Sequence, residues 1–310
     1  MIYGILDDLR TSLVLFASTM NFIKTPYPRH PRLDRGSEMA DQVGHNEALR
    51  VIAQADAVLI GAGAGLSTAA GIHYDGPDFE KAFADMIARY GFTDLHTSSF
   101  YPFRSEEEKW AYWSRHIDYA RFAPEGKPLY RHLLEMVQGK EYFVITTNVD
   151  GQFAKAGFDP DKVFEVQGDY GLMQCATACH PKRYSNESLV KQMVAEQQDC
   201  RIPSALVPRC PVCGGPMEIN VRKDQYFVED DSWHQQAERY YAFLEATLGK
   251  KKLALLEYGV GFNTPTIIRF PFERIAASYP DVTLIRINKD YRDCQTPGIS
   301  HFIGLETLFL

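Results

Sequence analysis

DAVLIGAGAGLSTAAGI, residues 56–72, is an apolar run that breaks into a glycine-rich loop and then into small, helix-compatible residues. Its first five residues do not alternate in polarity, which is how a parallel strand covered on both faces reads. Gly61, Gly63 and Gly65 follow directly, and Ser67, Thr68, Ala69 and Ala70 open a helix. Glycines allow a tight turn and let backbone N–H groups approach a pyrophosphate, and the helix N-terminus adds positive partial charge. The order strand, loop, helix therefore predicts phosphate binding around Gly61, Ala62, Gly63, Gly65, Leu66 and Ser67. A plain tight turn is the other use of the same glycines.

Four more runs repeat the pattern: EYFVITT (141–147), KVFEV (162–166), KLALLEY (252–258) and VTLIRI (282–287). Helical spacing between them indicates βαβ units. The expected fold is α/β, a doubly wound, Rossmann-like parallel sheet with a smaller zinc-binding and helical domain. The five runs end in GAGAGLS, NVDGQ, QGDYG, GVGFNTP and NKDY. Ligands bind outside the carboxyl ends of such strands, so these endings are expected to meet in one crevice. A dehydrogenase would place an acidic residue at the end of a second strand some 20 residues on. Here Glu80 and Asp85 fall in FEKAFADMIARY, which has helical spacing, and hydride transfer is disfavoured.

Cys175 and Cys179, then Cys210 and Cys213 in RCPVCGGP, form two close pairs. Four thiolates so spaced suit one tetrahedral zinc ion, and with no open coordination position the metal is expected to be structural. Cys200 and Cys294 are expected to be non-ligands, and His180, next to Cys179, a surface residue. The 310 residues are 45% hydrophobic with a net charge of -7, enough for a large core and without the basic footprint of a nucleic-acid binder. The Lys250–Lys252 run reads as a solvated turn. No stretch approaches the roughly 18 apolar residues of a membrane span. Asp7 and Asp8 stand where a signal peptide needs positive charge, and a cytoplasmic location is expected. Residues 1–44, with KTPYPRHPRLDRGS, read as an extension in loop or disorder, with translation beginning at Met39.

GAGAGLSTAAGI (61–72), TTNVD (146–150), QGDYG (167–171), the cysteine pairs, GVGFNTP (259–265) and RIN (286–288) together resemble the sirtuin family, in family order, from about residue 46 to 310. The resemblance implies an NAD-binding enzyme that breaks the nicotinamide–ribose bond. Two departures are informative. Gly71-Ile72 is followed by His73, Tyr74, Asp75 and Gly76 instead of a Pro-x-Phe-Arg type sequence, and the family's His-Gly, whose His is the general base, is Gln167-Gly168. This pattern resembles the macrodomain-linked microbial branch, class M. That branch implies protein ADP-ribosylation of a lipoylated carrier like the glycine-cleavage H protein, reversed by a macrodomain hydrolase.

The expected catalytic residues are Asn148, Asp150 and Gln167. Breaking the glycosidic bond develops positive charge on the ribose, which a carboxylate such as Asp150 can stabilise. Asp150 could instead hold the nicotinamide carboxamide. Asn148 can hold a ribose hydroxyl or a water, and a turn or cap role for both is the alternative. A carboxamide at 167 cannot take a proton near neutral pH as an imidazole can, so a deacylase cycle should stall. Transfer to an external nucleophile needs no such base. Gly71, Tyr74, Thr147, Gly259, Gly261, Asn263, Thr264, Asn288 and Lys289 complete the expected cofactor contacts. Deacylation, plain NAD hydrolysis and a non-catalytic NAD sensor are the competing readings.

The expected division is an NAD-binding domain from 45–77, 136–172 and 236–310, and a small domain from 78–135 and 173–235. The aromatics of 78–135 read as a small helical core, with Trp110, Trp113 and Ile117 on one helix face. Substrate would enter between the lobes. His116 and Arg115 could face it, though a structural role is the stronger reading, and His132 reads as an ordinary helix residue.

Overall fold

The structure is a computed structural model and describes residues 38–294 and 296–308. The expectation that residues 1–38 are an appendage upstream of Met39 lies, but for Glu38, outside the described residues, and residues 38–44, expected as loop or disorder, belong to the helix Glu38–Gln54.

Nine strands are present among them: β1 (Ala57–Ala62), β2 (Glu141–Thr146), β3 (Val163–Glu165), β4 (Gly168–Cys175), β5 (Arg183–Ser185), β6 (Met217–Val221), β7 (Leu253–Tyr258), β8 (Val282–Ile287) and β9 (Phe302–Leu305). Six form a parallel sheet in the order β3-β2-β1-β7-β8-β9. From β1 the chain builds outward through β2 and β3, then returns to build the other way from β7. The strand order therefore reverses between β1 and β7, the point where doubly wound sheets take their ligands.

All five runs expected as strands are strands, and their unbroken apolar character has a physical cause. Ala57 and Leu59 point into a core shared with the helices Asp231–Thr247 and Arg269–Ser278, while Val58 and Ile60 point into a second core shared with Glu38–Gln54 and Pro128–Val137. With both faces covered, no position gains from a polar side chain. The sixth strand, β9, was not anticipated. It has four residues on the sheet edge, and Phe302 and Ile303 are only half-buried, so it leaves little pattern.

QGDYG is not a loop ending. Gln167 connects β3 to β4, and Gly168 already pairs with Val221 in a second, antiparallel sheet of order β5-β4-β6. A third core joins this sheet to the aromatic-rich helices: Phe79, Phe83, Trp110, Tyr112 and Ile117 pack with Tyr170, Cys175, Cys210, Met217 and Ile219. The helix Glu106–Ile117 is started by the Ser105 hydroxyl, which accepts the Glu108 N–H at 3.2 Å, and by Glu106–Glu108 against the positive end of its dipole. Boundaries at 44/45, 172/173 and 235/236 fall inside the Glu38–Gln54 helix, β4 and the Asp231–Thr247 helix. Among the described residues no helix is long and apolar enough to cross a membrane.

One pair interrupts the apolar strands. Register sets Glu257 of β7 directly beside Arg286 of β8, both fully buried. The guanidinium grips the carboxylate at 2.6 and 3.0 Å and also reaches Glu273 at 2.7 Å and the Asp293 carbonyl at 2.9 Å. Arg269 lies 3.5 Å from Glu257 and donates to the carbonyls of Tyr291 and Asp293. The network thus anchors the segment after β8. Arg286→Met leaves Glu257 in the core with only Arg269, at 3.5 Å, as an ion-pair partner, and is expected to cost about 3–5 kcal/mol in urea unfolding, with much of the loss recovered by adding Glu257→Leu.

Candidate active site

Backbone hydrogen bonds gather the strand endings at one edge. Gly63 N–H donates to the Tyr258 carbonyl at 3.0 Å, Gly65 N–H to Gly259 at 2.9 Å, Gly259 N–H to Ile287 at 2.9 Å, and Thr147 N–H to Ala62 at 3.0 Å. The Asn288 side chain donates to the Val260 carbonyl at 2.9 Å. Tyr170 N–H donates to the Val149 carbonyl at 2.9 Å, which draws the segment after Gln167 against the Asn148–Asp150 loop. The loops after β1, β2, β7 and β8 are therefore bonded to one another at one edge of the sheet. Gly261, Asn263 and Thr264 lie farther along it on the loop after β7, and Lys289 is exposed on the loop after β8.

The glycines bring two loops together. Gly61 and Ala62 end β1 itself, and the amides of Gly63 and Gly65 are engaged by β7's end. A Cβ on Gly63 or Gly65 would lie 2.7 Å from backbone atoms of Gly259, and one on Gly259 would lie 2.2 Å from the Leu66 nitrogen. Two loops approach backbone to backbone at the switch point. The helix that follows, Ala64–Ala69, is only six residues long.

Ser67 on this helix is buried, and its hydroxyl donates to Asp150 Oδ2 at 2.5 Å. It also lies 3.2 Å from the Tyr130 hydroxyl, which receives Asn148 Nδ2 at 3.4 Å. The same Nδ2 donates to the Gly63 carbonyl at 3.0 Å. Asp150 Oδ1 accepts the Gln152 N–H at 3.1 Å, so the turn role weighed from the sequence is present beside the polar cluster. Burial raises the Asp150 carboxyl above its ordinary range, and the Ser67 hydroxyl, the Gln152 amide and the Arg121 charge oppose the shift. Tyr74 is half-buried near Tyr170 and Asp150, and burial raises its phenol pKa. Gln167 is half-buried at the head of β4. Two residues before it, Glu165 is pushed up to about 8, first by burial and then by the Asp169 charge.

Tyr130 was missed in the sequence. It belongs to the buried stripe Tyr130, Leu133, Val137 of its helix, and the available signal is that a tyrosine in such a stripe needs a partner for its hydroxyl. His116 is fully buried, 3.0 Å from the Tyr112 hydroxyl and stacked on Trp113, and burial holds its pKa down at about 3. Arg115 is taken up by Asp85 and Gln197. Both have structural surroundings.

Cys175, Cys179, Cys210 and Cys213 place their sulfurs within 4.8 Å of one another, with Cys175–Cys213 at 3.7 Å and Cys179–Cys210 at 3.6 Å. Tetrahedral zinc thiolates with bonds of about 2.3 Å set their sulfurs about 3.8 Å apart, so the residues fit the ion. Gly214 N–H to Cys210 O and Cys210 N–H to Gly215 O, both 2.8 Å, shape the knuckle. His180, expected at the surface, is half-buried, 3.1 Å from Cys179 Sγ and 2.7 Å from the Tyr184 hydroxyl, the kind of outer partner that orients a thiolate.

Residues 63–251 match the profile of the Sir2 family. A protein ADP-ribosyltransferase of Staphylococcus aureus is 40% identical over 253 residues, 81% of this chain and 80% of that protein. The chain belongs to the Sir2 family. A probable bifunctional ADP-ribose hydrolase/ADP-ribosyltransferase of Fusarium oxysporum is 32% identical over 84% of this chain, which spans only 45% of that longer protein. Among solved structures, a Sir2 enzyme superposes with a TM-score of 0.52 at 17% identity, covering 84% of this chain and 92% of its own. A Sir2 homologue in complex with NAD gives 0.51 at 18% identity, covering 84% and 88%. The Sir2 fold is thus present in a sequence far diverged from these structures.

Two outcomes follow for this site. Purified protein is expected to carry one zinc per chain by atomic absorption, and Cys210→Ser to lose it together with the stability of the β4–β6 sheet. Glu165 keeps its proton in the fold up to about pH 8 but ionises near 4.5 on unfolding. The unfolded state then binds fewer protons across that window, so stability falls as pH rises through it. Glu165→Gln is expected to flatten the fall in urea titrations at about pH 5, 6.5 and 8, and equal slopes in the two proteins would remove Glu165 as its source.

Proposed function

We propose that this chain is an NAD-dependent protein ADP-ribosyltransferase, which transfers ADP-ribose to a protein side chain and releases nicotinamide. The observation that carries the reading is Gln167. It stands after β3, where a deacylating sirtuin has its histidine base, in the segment drawn against Asn148 and Asp150 by the Tyr170–Val149 hydrogen bond. The activity in the name of the Staphylococcus aureus relative supports the same reading.

In this mechanism Asp150 acts on the charge that develops at the ribose as the nicotinamide bond breaks. Its position in a buried cluster makes that interaction stronger than it would be in water. The Ser67 hydroxyl and the Gln152 amide hold the carboxylate in place before reaction, so little reorganisation accompanies bond breaking. Asn148, fixed by Gly63 and Tyr130, holds a ribose hydroxyl. Gln167 adds hydrogen bonds to the ribose without taking a proton, so the acceptor must bring its own nucleophilicity. Gly61, Ala62, Gly63, Gly65, Leu66, Ser67, Gly71, Tyr74, Thr147, Gly259, Gly261, Asn263, Thr264, Asn288 and Lys289 complete the proposed NAD contacts, and zinc held by Cys175, Cys179, Cys210 and Cys213 would stiffen the small sheet without entering the chemistry.

The proposed acceptor is a lipoylated carrier protein resembling the glycine-cleavage H protein, in the cytoplasm. A macrodomain hydrolase is its proposed counterpart, and the paired activities in the name of the Fusarium oxysporum relative support that link. The three cores support two units: 38–77, 128–167, 230–294 and 296–308 around the parallel sheet, and 78–127 with 168–229 around the small one.

The test incubates the protein with labelled NAD and the lipoylated carrier, followed by mass spectrometry. Label on the carrier is expected, and Gln167→Ala should lower its rate at least about tenfold. In parallel, an acylated peptide with NAD should stay acylated. Free deacylated peptide would instead establish the deacylase, and normal transfer by Gln167→Ala would remove Gln167 from the mechanism.

A further inference from the structure

The helix Glu106–Ile117 does not stop at its last α-helical residue. It widens into a π-helical turn, Asp118–Phe122, closed by Ala123 N–H on the Asp118 carbonyl at 2.7 Å. A π turn inserts one residue into the helical repeat and redirects the side chains that follow, and such turns recur at functional sites. The Lys155 ammonium secures this one. It donates to the carbonyls of Arg121 at 2.5 Å, Phe122 at 3.2 Å and Pro124 at 2.5 Å. Lys155 closes the short helix Gln152–Lys155 that begins two residues after Asp150.

The residue that the turn redirects is Arg121. Its Nε and Nη2 meet Asp169 Oδ1 and Oδ2 at 2.7 and 3.0 Å, a two-pronged grip that a lysine cannot reproduce. Asp169 follows Gln167 by two residues, and its Oδ1 also accepts the Gly171 N–H at 2.7 Å. The guanidinium also lies against Gly151, the neighbour of Asp150. Gly151 has φ +63, and a Cβ there would stand 2.2 Å from Arg121 Cζ. Gly151 thus leaves room for the guanidinium, and Asp169 holds it there. The loop carrying Asn148 and Asp150 and the segment carrying Gln167 meet at one side chain.

We propose that Arg121 is a positioning residue: wedged between Gly151 and Asp169, its guanidinium sets the placement of Asp150 relative to Gln167 that ADP-ribosyl transfer requires. The inference rests on the transferase reading above. The Tyr170 N–H to Val149 carbonyl bond joins the same two segments directly, and the wedge fixes how far apart they stand. The charge also acts on Asp150 itself, opposing the upward push of burial on that carboxyl. The Arg121 side chain is 17% exposed, so its site can be reached by a small cation from solvent.

The test compares the full zinc-loaded chain with Arg121→Ala, Arg121→Lys and Asp169→Asn. Calorimetry with NAD comes first: no heat from the unaltered protein defeats the transferase reading and leaves the wedge to be judged by hydrogen exchange. With the lipoylated carrier and saturating NAD, Arg121→Ala is expected to lose at least about thirtyfold in kcat while its NAD affinity stays within about threefold. Added guanidinium should restore about fivefold or more to Arg121→Ala and nothing to the unaltered protein, Arg121→Lys should recover only part, and Asp169→Asn should fall with Arg121→Ala. In hydrogen exchange, the Tyr170 and Gly171 amides should open at least about tenfold faster in Arg121→Ala, with β1 and the zinc knuckle unchanged. Unchanged protection of those two amides overturns the proposal whichever acceptor is correct, and so does a kcat within about threefold of the unaltered protein wherever the carrier is modified.

Discussion

The site is organised by the backbone contact between the loops after β1 and β7. Gly63 and Gly65 lie against Gly259 so closely that one added methyl group would stand 2.7 Å or less from main-chain atoms. This contact occupies the place where strand order reverses, the one gap in a parallel sheet that no crossover helix covers. It gives the Ala64–Ala69 helix its starting point, and with it the direction in which Ser67 faces Asp150. It also gives the Gly63 carbonyl its position as the acceptor for Asn148.

Around this contact the protein keeps charges buried in two ways. Glu257, Arg286, Glu273 and Arg269 neutralise one another, and the remaining donors end on the carbonyls of the segment after β8. Such a network specifies where that segment lies more than it adds stability, because burying two charges costs about as much as their attraction returns. Asp150 is treated differently. It has a hydroxyl, an amide and a nearby guanidinium, but among the described residues no ion-pair partner of its own. A buried carboxylate without direct neutralisation responds strongly to positive charge that develops beside it, which is the property the proposed chemistry uses.

The second sheet and the aromatic helices share one core, and this unit carries Gly168–Gly171 beside the Asn148–Asp150 loop. The cysteine knuckles tie β4 to the loop before β6, and β4 begins one residue after Gln167. Whatever stiffens the knuckles therefore also stiffens the polypeptide that carries Gln167. Arg121 belongs to the helical part of the same unit, so both elements that flank Asp150 from that side are held by one core containing Trp110, Tyr112, Tyr170 and Cys210.

Much of this was legible in the residues. Five strands showed as unbroken apolar runs because both faces of the sheet are covered, and four sulfurs showed as a metal site because spacing alone brings knuckle ligands together. NVD and QG were readable through their resemblance to a family pattern. What stayed hidden depends on contacts between residues far apart in the chain. β9 is too short and too exposed to leave a pattern, and the strands of the small sheet have no apolar run of their own. Tyr130 looks like any core tyrosine until Ser67 and Asn148 meet at its hydroxyl. The glycines announced a close approach, but only the register of β1 beside β7 made the approached group a neighbouring backbone. Local sequence thus determined which segments become strands, helices and thiolate knuckles, since those follow from periodicity and nearest-neighbour spacing. Tertiary structure decided which polar groups face one another, because hydrogen bonds such as Ser67 to Asp150 and Arg121 to Asp169 close over 83 and 48 residues and exist only once the sheets have packed.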